Sequence, residues 1–238
     1  MKNMTCGLFT LVTAVFSVAV PCSAFLFSAG LTMADEPLPV LYQDDFEGGA
    51  DRWSPTDDSK WKITAEDGDH VYHLLGKSDY APPHRSPHSI SLLKNLSVSD
   101  FVITAKVKTL QSSRAHRDMC LFFGYQDPSH FYYVHLGEKT DPHANQIFIV
   151  NNAPRVKISE QVNSGTPWKD DTWHTVKLVR NVDDGLIEVY FDDMSSPQMV
   201  AHDQTFQWGQ IGLGSFDDFG MWNDLEVRGR KAVRDSDQ

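Results

Sequence analysis

The chain has 238 residues, with 21 Lys+Arg against 32 Asp+Glu for a net charge of −11, and 41% of its residues are apolar. That is the composition of a folded globular chain, long enough for one all-β domain or two small ones. The negative balance disfavours partners held through phosphate, so neither nucleic acid nor an anionic membrane surface is expected, and it slows the approach of acidic polysaccharides.

In chain order, the first feature is a targeting segment. Lys2 supplies a positive start, Leu8 to Val20 is an apolar run, and small residues suited to signal peptidase occur at Cys22-Ser23-Ala24 and Thr32-Met33-Ala34. Apolar character persists through Phe25-Leu26-Phe27 and stops at Asp35-Glu36-Pro37, which favours cleavage after Ala34; an uncut membrane anchor is the alternative. The expected organisation is a signal peptide over 1–34 and a single domain over 35–238, exported to the periplasm or the medium, with no membrane span after cleavage. Cys6 and Cys22 leave with the signal, so Cys120 has no partner for an intramolecular disulfide and stability rests on core burial.

Beyond residue 35 apolar residues recur with period 2 and almost nowhere with period 3.6. In Phe101-Val102-Ile103-Thr104-Ala105-Lys106-Val107-Lys108 the odd positions are apolar and the even ones become polar, the mark of a half-buried strand. Similar segments predict strands at 39–46, 61–66, 70–76, 89–94, 118–126, 130–136, 146–151, 155–159, 173–180, 186–192, 210–215 and 222–228. Turn signals such as Glu66-Asp67-Gly68, Asp127-Pro128-Ser129 and Val182-Asp183-Asp184-Gly185 separate them, and 79–88, with Pro82, Pro83 and Pro87, reads as one long surface loop. Many short strands without a helix predict an all-β, two-sheet antiparallel sandwich.

Four motifs add a resemblance: Asp44-Asp45-Phe46-Glu47-Gly48 followed by Trp53, the strand Trp173 to Leu178, the segment Gly185 to Asp192, and Ile211-Gly212-Leu213-Gly214 followed by Asn223-Asp224-Leu225-Glu226-Val227. Together, over roughly 40–230, they resemble the concanavalin A-like lectin/glucanase jelly roll. The similarity is to its laminin G-like branch and to exported bacterial domains of the 3-keto-disaccharide hydrolase type. The resemblance implies a jelly-roll β-sandwich, a fold that hosts lectins, carbohydrate-binding modules, glycosidases, lyases and adhesion domains. The opening common in the keto-sugar hydrolases is replaced here by Asp45-Phe46-Glu47-Gly48-Gly49, so that activity is not carried over.

The hairpin centred on Asp127-Pro128-Ser129 concentrates the chemistry. A tight turn there predicts the pairs Leu121/Leu136, Phe123/Val134 and Tyr125/Tyr132 on a core face. Opposite lie Phe122/His135, Gly124/Tyr133 and Gln126/Phe131, with Asp118 near the open end. A face that mixes rings with hydrogen-bonding groups suits a glycan, so Asp118, Phe122, Gln126, Phe131, Tyr133 and His135 are the expected ligand-binding residues. The alternative is that the same rings form a second packing layer beneath a loop. Tyr133, His135 and Arg117 are the residue types a polysaccharide lyase would use as base and carboxylate-neutralising group, which makes them the catalytic candidates if the protein is an enzyme.

Neither the Glu-x-Asp-x-Glu strand of family 16 glycosidases nor a zinc-type histidine spacing occurs, and Glu188 with Asp192 matches only partly. The resemblance further implies a structural Ca²⁺ between first and last strands, for which Asp45, Glu47 and Asp224 are the expected ligands, with Asp44, Asp217 and Asp218 nearby in sequence. No organic cofactor is expected. The leading expectation is an exported protein that binds or processes an oligo- or polysaccharide; the alternatives are a glycoside hydrolase or polysaccharide lyase, and a laminin G-like interaction or adhesion module.

Overall fold

The computed structural model describes Met1 and residues 37–232; the rest of the expected signal segment 1–34 and the expected cleavage point lie outside the described residues. Among the described residues the period-2 pattern becomes sixteen strands. They are β1 (Val40–Asp44), β2 (Trp53–Pro55), β3 (Trp61–Glu66), β4 (Asp69–Leu74), β5 (Ser89–Leu93), β6 (Val98–Thr109), β7 (Cys120–Asp127) and β8 (His130–His135). After these come β9 (Gln146–Asn151), β10 (Val156–Lys157), β11 (Gln161–Val162), β12 (His174–Arg180), β13 (Leu186–Phe191), β14 (Met199–His202), β15 (Gln210–Ser215) and β16 (Gly220–Lys231). A 3-10 turn, Asp58–Lys60, joins β2 to β3. No helix among the described residues is long and apolar enough to cross a membrane.

The strands form two antiparallel sheets. The nine-stranded sheet runs β11-β14-β13-β12-β6-β16-β4-β3, with β1 also on β16, and the seven-stranded sheet runs β10-β9-β8-β7-β15-β5-β2. Alternation decides which side of each strand is buried. Phe101, Ile103, Ala105 and Val107 of β6, Val176 and Leu178 of β12, and Ile187 and Val189 of β13 turn inward. They meet Leu121, Phe123, Tyr132 and Val134 of the smaller sheet in one core, each large apolar side chain contributing about 1.5–3 kcal/mol. The even residues of β6, Val102, Thr104 and Lys106, face outward.

The smaller sheet is covered on its other side as well. Ile90, Cys120, Phe122, Tyr125, Phe131, Tyr133, Phe148 and Val150 make a second apolar cluster, with Tyr80 packed on it. Tyr80 belongs to the Pro-rich loop, which is tied down where His88 N donates to Phe216 O (3.1 Å) and Arg155 N donates to Arg85 O (3.1 Å). Residues 79–88 therefore act as a lid over packed rings.

The hairpin register differs from expectation. Asp127↔His130 pairs as expected, but beyond it the ladder runs Phe123↔Tyr132, Phe122↔Tyr133, Leu121↔Val134 and Cys120↔His135, two residues out of step. Gly124 adopts φ +56°, a left-handed conformation that bends the strand and lets Gly124, Tyr125 and Gln126 stand opposite Phe131 alone. Tyr125 consequently leaves the expected core face and joins the outer cluster, while Leu121, Phe123 and Val134 keep theirs. The sequence pattern also missed β2, β11 and β14, which have at most four residues each and are too short for period 2 to emerge.

Candidate functional site

The face expected to receive a glycan is closed. Phe122 and Tyr133 are fully buried, Phe131 is 1% exposed and His135 3%. The Tyr133 ring stacks on Phe148 (centroids 5.0 Å apart) and on Phe122 (5.8 Å), and its hydroxyl accepts from Arg155 Nη1 at 2.7 Å. The Arg155 guanidinium lies over both Phe148 and Phe216, sealing that end. His135 Nδ1 accepts from Asn145 N, so its Nε2 carries the proton and points at Asp118 Oδ2, 3.6 Å away. Asp118 is saturated in turn by Cys120 Sγ, Phe216 N and Ser215 Oγ. Arg117, 1% exposed, pairs with Asp170 and stands 3.4 Å from Glu138, while half-buried Gln126 donates to Trp208 O. The structure brings Asp118 and His135 together but exposes neither, and Tyr133, His135 and Arg117 cannot touch a substrate. This corrects the expected open face: the rings are the second packing layer, because the Pro-rich loop and Arg155 cover them.

The acids expected to hold Ca²⁺ are not gathered either. Glu47 accepts from His70 N (2.6 Å) and sits 2.7 Å from its Nδ1, Asp224 pairs with Lys106 at 2.6 Å, and Asp45 Oδ1 accepts from Glu47 N. Among the described residues the carboxylates that converge are Asp118, Asp217 and Asp218, with ligand atoms within 4.8 Å of one another. There the Arg114 guanidinium already engages both Asp217 and Asp218. Burial raises Asp118 to about 6, and burial together with the neighbouring Asp118 charge raises Asp218 to about 6, while the Arg114 guanidinium offsets part of the charge. The expected ligands Asp45, Glu47 and Asp224 are thus each engaged with neighbouring residues and do not converge on a common point.

The outer face of the nine-stranded sheet is different, because local sequence opens it. On β16 the pairing goes from Asn223↔Lys106 to Glu226↔Thr104, which leaves one extra residue on β16. Trp222 and Leu225 turn into the core, and Asp224, at φ +45°, is the surplus residue. The bulge thus presents Asn223 and Asp224 side by side, where regular pleating would alternate them. It sits where the other neighbour of β16 changes from β4 to β1.

Two hollows flank this point. One, of about 150 Å³, is lined by Glu66, Asp67, Asp69, Val71, Lys106, Trp173 and Asn223. The other, of about 520 Å³, is lined by Gln43, Asp44, Asp45, Thr104, Asp224, Leu225 and Glu226. The Lys106–Asp224 ion pair bridges them. Trp173, immediately before β12, is half-buried, and Lys108 Nζ lies 5.4 Å from its ring centroid while pairing with Glu66 and Asp171. Asn223 is 5% exposed, yet its Oδ1 has no hydrogen-bond partner, which for a buried amide oxygen is a standing cost of about 1–3 kcal/mol. An apolar ring beside an unsatisfied acceptor, carboxylates and an ammonium can stack on a ring's C–H face and pair with its hydroxyls.

Sequence reasoning named Asp45 and Asp224 for another purpose and passed over Trp173, Lys106 and Asn223. The signal was there in Trp222-Asn223-Asp224-Leu225, where two polar residues in a row interrupt the alternation.

No protein-family model and no curated protein matches the sequence. Among solved structures the chain is similar to the carbohydrate-binding module CBM66 from Bacillus subtilis (TM-score 0.53, 18% identity, 75% of this chain and 96% of that one). It is also similar to a Bacillus subtilis protein with a galectin-like fold (TM-score 0.52, 12% identity, 84% and 99%). A third likeness is to winged bean acidic lectin, solved with methyl-α-D-galactose (TM-score 0.51, 11% identity, 81% and 98%). Identities this low speak for the fold alone. With its two antiparallel sheets and these likenesses, the chain has a jelly-roll β-sandwich fold of the kind seen in lectins and carbohydrate-binding modules.

Proposed function

We propose that the protein binds carbohydrate on the outer face of its nine-stranded sheet, in the hollows on either side of the Lys106–Asp224 pair. The carrying observation is Asn223: a buried amide oxygen without a partner, in a hollow that Trp173 also lines. A sugar hydroxyl donating to Oδ1 would supply the missing bond, and the half-buried Trp173 ring offers the stacking surface. The carbohydrate-binding module and the lectin among its structural likenesses support this reading. Binding is preferred to hydrolysis or elimination, since Tyr133, His135 and Arg117, the groups a lyase would have used, are sealed in the fold. Export through 1–34 would make the ligand a glycan outside the cytoplasm.

The test is a glycan array followed by calorimetry on the hits. Trp173→Ala is expected to lose about 1–3 kcal/mol of affinity, the range for a truncated aromatic anchor, and Asn223→Ala a smaller amount. Trp208→Ala, which removes an exposed ring away from these hollows, should leave affinity unchanged. Glycan binding that is indifferent to Trp173 and Asn223 would move the site elsewhere; no binding to any glycan would remove the reading.

A further inference from the structure

We infer that the glycan bound on this face carries free amino groups, as in a polymer of glucosamine, and that unpaired carboxylates around the hollows select it. The inference rests on the carbohydrate reading and adds the charge of the ligand.

The lining is acidic. Three of its seven carboxylates are compensated locally: Asp224 by Lys106, Glu66 by Lys108 and Glu226 by Arg228. Asp45, Asp67 and Asp69 have no cationic partner among the described residues; nor has Asp44, though its oxygens already accept from Tyr42 OH, Trp53 Nε1 and Phe46 N, and Lys106, the cation in the lining, is committed to Asp224. Asp67 and Asp69 bracket the tight β3–β4 turn at Gly68, which fixes both at the rim of the smaller hollow. Asp45 follows β1 at the larger one.

Carboxylates that line one hollow repel one another, and an ammonium group arriving among them is attracted to each. A protonated amino sugar brings such a group every residue along the chain, with three N–H donors for carboxylate oxygens, while its pyranose faces remain free to stack. A neutral glycan makes the stacking and hydroxyl contacts without the charge gain. A uronate or sulfated chain meets repulsion at the same positions. The molecule's net charge of −11 draws a polycation from a distance.

The experiment compares a β-1,4-linked glucosamine hexamer, its fully N-acetylated counterpart and a uronate hexamer by calorimetry in mildly acidic buffer at low and high salt. The glucosamine hexamer should bind at least about tenfold tighter than the acetylated one at low salt, with the gap narrowing at high salt, and the uronate hexamer weakest. The double variant Asp67→Asn/Asp69→Asn, with folding checked by circular dichroism, should shrink that gap. Trp173→Ala should weaken both neutral and cationic ligands. Equal affinity for the amino and acetyl forms would overturn the inference and leave the carbohydrate reading standing. Glucosamine binding untouched by Trp173→Ala would mean polycation attraction to the whole molecule, which also overturns it. Failure of all glycans, on the array and here, takes both readings away.

Discussion

The Nε2 of His135 stands 3.6 Å from Oδ2 of Asp118 with both side chains cut off from solvent, and burial drives the two in opposite senses. His135 falls to about 3, from desolvation first and the Arg155 charge second; Asp118 rises to about 6 from desolvation. Between about pH 4 and 6 the folded state therefore holds protons on Asp118 and Asp218 that the unfolded chain has released. Their stabilisation is present in acid and is lost as pH rises through about 6. His135 works the other way: the unfolded imidazole takes up a proton below about 6.5 and the folded one does not, so its contribution is lost as pH falls towards 3. Melting temperature against pH should show Asp118→Asn flattening the decline from pH 4 to 6 and His135→Gln flattening the loss on the acid side. Variant profiles parallel to that of the parent would refute the assignment.

Tyr133 belongs to the packing. Tyr133→Ala should cost about 3–5 kcal/mol in denaturant unfolding, as for other buried aromatics, and Tyr133→Phe about 1 kcal/mol for the lost bond from Arg155. Glycan affinity of the folded Tyr133→Phe protein should match the parent. A selective loss of binding would mean that the Pro-rich lid opens.

Ion dependence follows from how the acids are engaged. With Glu47 on His70, Asp224 on Lys106, and Asp217 and Asp218 on Arg114, added Ca²⁺ or a chelator should leave the melting temperature unchanged. A rise with Ca²⁺ that Asp218→Asn abolishes would restore an ion to the Asp118–Asp217–Asp218 cluster.

Gly124 is a position where a methyl group is costly. At φ +56°, an added Cβ would lie 3.0 Å from Tyr132 Cδ2, and an L-residue there pays about 1–2 kcal/mol for the left-handed backbone alone. Gly124→Ala should lower stability by at least that much, measured by urea titration. A neutral result would show that the strand can straighten without the bulge.

What was readable in the chain was what alternates. The segments 61–66, 146–151 and 210–215 have the bounds expected of them, and β6 turns the expected residues inward. The hairpin was misjudged because a turn fixes register only while both strands stay regular; Gly124 spends residues out of phase, and a lone glycine in a strand does not say how many. Tyr133 and His135 misled for another reason. Residue types reveal that a face mixes rings and polar groups, but whether water reaches it depends on a distant loop, 79–88, folding over it. Trp173 was hidden by the reverse effect: it reads as one more core aromatic at a strand start, and only the neighbouring β6 and β16 show that it borders a hollow.

The bulge at Asp224 separates the sheet from what the sheet carries. Remove that single residue and β16 reads Trp222 inward, Asn223 outward, Leu225 inward, Glu226 outward, the alternation that its partner β6 keeps from Phe101 to Val107. A one-codon deletion at Asp224 would thus mend the ladder while erasing a carboxylate from the face. In descent, such an inserted codon is a way for a structural sheet to acquire a polar surface without rebuilding its core. In engineering, position 224 is a place where length as well as identity can be varied to retune what the face recognises.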